Sequence, residues 1–133
     1  MSESRVDLVF DGRCGFCTRS VDWLRRLDRA GRVRFHPYQQ AGVLTRFGLT
    51  EDEAGSAAWA FAGGRRAGGA GAVNLALDAA LGTTLFSAVY HLPGIRWGQD
   101  RAYRWVAGHR HLLPGTTPWC RRYPDECGSP HRR

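Results

Sequence analysis

The segment Val6-Asp7-Leu8-Val9-Phe10-Asp11-Gly12-Arg13-Cys14-Gly15-Phe16-Cys17 passes from one structural period to another across two cysteines. Residues 6–10 form a short apolar run that stops at an Asp-Gly pair, the pattern of a buried strand entering a turn. From residue 16 to 30 the period becomes helical. Cys17, Val21, Leu24 and Leu27 fall on one stripe, and Asp22, Arg25, Arg26 and Arg29 on the other side. Gly31 suits a left-handed C-cap. The two cysteines therefore stand at a strand–turn–helix junction. A thiol at a helix start meets free backbone N–H groups and the positive end of the helix dipole, and both favour the reactive thiolate. Cysteines three apart on a helix share a face, so the second can close a disulfide with the first or resolve a mixed disulfide.

Outward from this junction, Val33-Arg34-Phe35-His36 alternates as a strand and Pro37 ends it. Residues 39–47 read as a short helix closed by Gly48. Thr50-Glu51-Asp52-Glu53 has capping-box spacing, with Gly55 following too soon for a long helix. Residues 57–62 read as a third strand, Gly63-Gly64 as a hairpin turn and residues 65–67 as a fourth strand. Gly68, Gly69 and Gly71 read as a loose loop; they lack the Gly-Lys-Ser/Thr ending of a phosphate-binding loop. Residues 72–81 form a helix capped by Gly82. A further helix starts at Thr84 and ends at Pro93-Gly94, and the last runs over residues 99–112. The order predicts an α/β fold of thioredoxin-like layout, a mixed sheet flanked by helices whose first crossover is parallel and right-handed. It is expected as one domain, with a core over residues 5–82, a helical extension over 84–113 and an irregular tail over 114–133.

Composition sets the class. The chain has 133 residues, 43% apolar and 23% charged, which suits one soluble globular domain. Its polar start lacks the apolar centre of a signal peptide, and no run reaches membrane-spanning length, so the expected location is the cytoplasm. Four cysteines are too few for a disulfide scaffold at this length, and in a reducing compartment they point to catalysis or metal binding. The formal charge is +7 and every basic side chain other than histidine is arginine. The arginines are spread along the chain, with the densest stretch over residues 96–133, so a solvated basic surface is expected rather than a nucleic-acid footprint.

Asp11-Gly12-x-Cys14-x-x-Cys17 after an apolar strand resembles the signature of the DCC family of thioredoxin-like thiol–disulfide oxidoreductases. Tyr103-Arg104-Trp105-Val106-Ala107 with Arg110, and the later Cys120, are similar to that family's closing helix and tail. The resemblance runs from Val6 to Cys120 and implies thiol–disulfide exchange. The chain departs from ordinary thioredoxins in carrying Gly15-Phe16 between the cysteines and Arg13 before them. It also lacks a proline before the third strand, where thioredoxins place a cis-proline that helps an extended partner dock. That absence leaves room for a substrate narrower than proteins at large, while the expected type of activity is that of a protein-disulfide reductase.

Cys14 is the expected nucleophile and Cys17, one turn deeper in line with Val21, the buried resolving thiol. A free thiol is only ~3% ionised at pH 7, and moving its pKa to about 6.5 takes about 2.7 kcal/mol of differential stabilisation. The helix end and the neighbouring Arg13 and Arg19 are the expected sources. Asp11 is expected to cap the turn, with proton relay to the buried thiol as the other reading, and Gly12 to supply an unusual backbone angle. Cys120 and Cys127 can pair with each other, Cys120 can exchange with Cys14 as an accessory thiol, or all four can ligate zinc; two free tail cysteines is the plainest reading. His109 and His111 read as solvated or capping groups rather than metal ligands, since residues two apart on a helix point to different faces. Trp97, Tyr103 and Trp105, interleaved with Arg101 and Arg104, read as packing groups rather than base-stacking ones. The expected activity is reduction of a substrate disulfide, with an external thiol donor and no bound cofactor or metal. The rivals are a binding module built on the basic aromatic C-terminal helix and a small cysteine-ligated metalloprotein.

Overall fold

The computed structural model describes residues 5–127. Strand β1 (Val6–Phe10) leads into helix α1 (Gly15–Leu27) and strand β2 (Val33–Pro37). Two short helices follow, α2 (Val43–Phe47) and α3 (Glu51–Ser56), then the hairpin β3 (Trp59–Ala62) and β4 (Arg65–Gly68). Helices α4 (Ala70–Leu81), α5 (Leu85–Tyr90) and α6 (Pro93–His109) come next, and α7 (Trp119–Arg122) lies near the end. The sheet order is β2-β1-β3-β4, with β1 parallel to β2 and antiparallel to β3, and β3 antiparallel to β4. This is a thioredoxin-like α/β fold with further helices after the sheet.

The period-two pattern of β1 sorts its side chains onto two faces. Val6, Leu8 and Phe10 join Val21 and Leu24 of α1 and Ala72, Leu75, Ala76 and Ala79 of α4 in the main core. Val9 points the other way, into a smaller cluster with Val43, Leu49 and Ala54. The sheet is thus covered on both faces, and the C-terminal end of β1 opens directly into the turn that carries the cysteines.

Several boundaries differ from the sequence expectation, each for a local reason. Helix α1 stops at Leu27, because the Asp28 carboxylate takes the backbone N–H groups of Arg32 (2.8 Å) and Val33 (2.9 Å) and turns the chain into β2. The Gly68–Gly71 segment is not a loose loop. Gly68 ends β4, Gly69 caps α4 with a left-handed φ of 62°, and Gly71 lies inside the helix. Pro93 opens α6 instead of ending its predecessor; a proline at the first helical position forfeits only an N–H that has no intrahelical partner. The tail is not wholly irregular either, since α7 and a 3-10 turn over Pro124–Glu126 fold back onto the body.

That return is tied down along its length. Trp119 is buried in the main core, edge-on to Phe10 with ring centroids 5.3 Å apart. Its backbone N–H donates to Thr18 Oγ1 (3.0 Å) and its indole N–H to Glu126 Oε1 (2.9 Å). Arg122 donates through both terminal nitrogens to Asp22, at 3.2 and 2.7 Å. Upstream, Gly115 packs so closely on the Gly15–Phe16 backbone that any side chain there would collide with it. The tail is a strap across the start of α1.

Candidate active site

The site begins with a turn. Asp11 Oδ1 accepts the Arg13 N–H (3.0 Å) and the Gln39 side-chain N–H (2.8 Å), while Gln39 Oε1 accepts the Gly12 N–H (2.9 Å). The Cys14 N–H then donates to the Asp11 carbonyl at 3.2 Å. Asp11 is therefore a turn-capping group, as its sequence position suggested. Gly12 serves a different purpose from the one expected. Its φ is not in the positive range, but a Cβ there would lie 2.7 Å from Cys120 Sγ and 2.8 Å from Pro37 Cβ. The glycine is needed for close approach.

Cys14 is itself the N-cap of α1, with extended backbone angles, and its Sγ accepts the Cys17 N–H at 3.2 Å. A sulfur thus occupies the place usually held by a serine or aspartate oxygen, and negative charge on it is matched by the helix start. The Cys14 pKa is lowered to about 6, first by the hydrogen bond that the Cys17 thiol donates to it. Its contact with the Cys17 backbone N–H and the Arg110 charge act in the same direction, against burial and the Asp11 charge. Cys17 moves the opposite way. Donating to Cys14, buried and beside a thiolate, it holds its proton far above the ordinary thiol range. The two environments divide the pair into an acidic outer thiol and a protonated inner one.

The positive charge at the pair is Arg110, the first residue of a 3-10 turn after α6. Its Nη1 donates to Cys17 Sγ (3.3 Å), and its Nη2 donates to Asp11 Oδ2 (3.2 Å) and the Gly55 carbonyl (2.8 Å). Arg13 and Arg19, the expected sources, are exposed, and the charge that lowers the Cys14 pKa is that of Arg110. The role of Arg110 was missed in the sequence. Its one trace in the sequence is the helical spacing Gln99, Tyr103, Val106, Arg110, which carries the inner face of α6 one residue past its end, but spacing alone does not show what the arginine meets. Tyr103 holds the same helix in position by accepting the Ala58 N–H at 2.9 Å, just before β3.

Cys120 and Cys127 are bonded to each other, which corrects the reading of two free tail cysteines and removes them from any four-thiolate zinc arrangement. Cys120 also donates its N–H to the Gly12 carbonyl (2.8 Å), so the disulfide lies against the turn that carries Cys14. Among the described residues no cluster of three or more histidine, cysteine or acidic side chains is placed to hold a metal. His109 bonds the Trp105 carbonyl through Nδ1 (2.7 Å) and stacks on its ring; the His111 side chain lies outside the described residues. Trp97 and Trp105 are not packing groups as expected, being 65% and 57% exposed, and Arg101 lies over the Trp97 ring. Among the described residues no helix is long and apolar enough to cross a membrane.

A thioredoxin-like sheet, a dithiol at the first helix start and an arginine on its inner sulfur define the class of thiol–disulfide oxidoreductases. The chain belongs to the DCC1-like thiol-disulfide oxidoreductase family, whose model matches residues 8–116. That match stops short of the Cys120–Cys127 disulfide. No curated protein and no solved structure matches the chain significantly.

Proposed function

We propose that the protein reduces a substrate disulfide in two exchange steps. The Cys14 thiolate attacks one substrate sulfur, forming a mixed disulfide and releasing the first thiolate. Cys17 then bonds to Cys14 Sγ and displaces the second substrate sulfur, which leaves with the proton that Cys17 gives up. Two electrons pass from the dithiol to the substrate, and an external thiol donor restores the reduced pair. The exchange itself calls for no bound cofactor. We place it in the cytoplasm, where such donors are abundant.

The observation that carries this reading is the split between the two sulfurs: Cys14 caps the helix as an acidic thiol, while Cys17 is held protonated beneath it. Arg110 supports the second step, because a guanidinium 3.3 Å from Cys17 Sγ stabilises the charge that develops there as the proton leaves. The test is covalent trapping. Cys17→Ser should accumulate mixed disulfides with substrate in cell extract, and Cys14→Ser should accumulate none. Equal trapping by both variants, or by neither, would overturn the assignment.

A second reading is favoured by the exposed Trp97 and Trp105 on a basic helix: the outer face of α6 docks a partner. Binding that weakens with salt and survives Cys14→Ser/Cys17→Ser would support it.

A further inference from the structure

Helix α6 spans 17 residues and none of them is buried. It is held to the body by polar contacts at separate points. Gln99 Oε1 accepts from Asn74 (2.6 Å), Asp100 Oδ1 from the Tyr90 hydroxyl (2.6 Å) and the Tyr103 hydroxyl from Ala58 N–H (2.9 Å), while Arg110 anchors the end. Between these points α6 borders, with α1 and α4, a half-open cavity of about 680 Å³. Phe16, Cys17, Val73, Leu77, Tyr103 and Val106 are among its lining residues. The volume lies in the range of small-molecule sites, and the walls are largely apolar, with Asp11 and Arg110 at the dithiol end. A larger concavity of about 860 Å³, around Arg5, Arg32 and Arg65, touches neither Cys14 nor Cys17.

We infer that the α1–α4–α6 cavity is the substrate pocket, and that it seats a bulky apolar substituent carried on the sulfur of a small disulfide. The inference rests on the exchange reading above. The occupant follows from where the cavity begins. Its lining includes Cys17, whose sulfur must reach Cys14 Sγ for ring closure, and Phe16 between the two cysteines. Cys14 itself lies just outside the lining, two residues before Phe16, so a group joined to its sulfur has to run past Phe16 along α1 to enter the apolar space. In the reaction R–S–S–R accepts two electrons and leaves as two R–SH, while Cys14 and Cys17 become one disulfide. Loss of the apolar R–SH then frees the cavity for the next substrate once the dithiol is restored.

The test is single-turnover oxidation of the pre-reduced protein by dibenzyl disulfide and by bis(2-hydroxyethyl) disulfide. Each rate is divided by that of the same disulfide with free dithiothreitol, which removes intrinsic reactivity. The normalised preference for the benzyl compound should be at least about tenfold, the lower end of what burying one such group provides. Ala102→Phe, which projects a ring from the exposed rim of α6, should cut that preference several-fold, and Ala107→Phe should do the same. A wild-type preference near one, with both disulfides consumed, overturns the pocket and leaves the exchange reading standing; this result needs no variant to fold. A preference unchanged in both folded variants also overturns it. If neither disulfide oxidises the protein, the exchange reading falls and the pocket with it.

Discussion

Cys14 and Cys17 differ by one helical turn, yet their protons are held in opposite ways. Cys14 sits where α1 presents unpaired N–H groups, and Cys17 sits where burial and a neighbouring thiolate keep its own proton on. A thiol with pKa about 6 is ~90% ionised at pH 7, against ~3% for a free one. Arg110 tunes both sulfurs. Arg110→Ala should move the midpoint of Cys14 alkylation upward from about 6 and slow closure of the mixed disulfide about tenfold or more, the range expected on losing a hydrogen bond to a charged group. Arg110→Lys, which keeps the charge but loses the fork, should recover the alkylation midpoint better than the closure rate. Stopped-flow alkylation against pH, with mass analysis of the mixed disulfide, reads both; an unmoved midpoint and rate in Arg110→Ala would remove the arginine from the mechanism.

At the scale of elements, the strap from Gly115 to Cys127 holds the start of α1. It donates to Gly15 O through Thr116 (3.2 Å) and to Gly12 O through Cys120 (2.8 Å), and it buries Trp119 against Phe10. Trp119→Ala should cost about 3–5 kcal/mol, the range for an aromatic lost from a core. Gly12→Ala should cost about 1–3 kcal/mol by overpacking, because the new methyl meets the Cys120 sulfur and Pro37. Denaturant titration of the oxidised-tail protein measures both. A Gly12→Ala protein as stable as the parent would mean that the strap yields easily. The helix α1 itself was plain in the chain, since its stripe of Cys17, Val21, Leu24 and Leu27 is a local pattern. The strap was not, because its partners lie about a hundred residues away.

For the whole molecule, the dithiol couples chemistry to stability. Cys14 is more acidic folded than unfolded, so its contribution is fully present above about pH 8.5 and is lost as pH falls through about 6. Cys17 is less acidic folded than unfolded, so its contribution is fully present below about pH 8.5 and is lost as pH rises beyond it. The reduced pair should therefore stabilise the fold most near about pH 8.5. The fall toward pH 5 should be about 1–2 kcal/mol after allowing for solvent screening of a partly exposed thiol. The Tm of the reduced protein minus that of Cys14→Ser/Cys17→Ser, followed against pH, measures it; a flat difference would contradict the split. The strand–helix–strand order, the dithiol at the helix start and the turn-capping Asp11 were all legible along the chain, because periodicity and capping act between residues a few positions apart. The arginine at the pair, the partner of Cys120, the purpose of Gly12 and the cavity under α6 came only with the folded chain. Each depends on segments far apart in sequence meeting in space, and no neighbour in the chain carries the record of such a meeting.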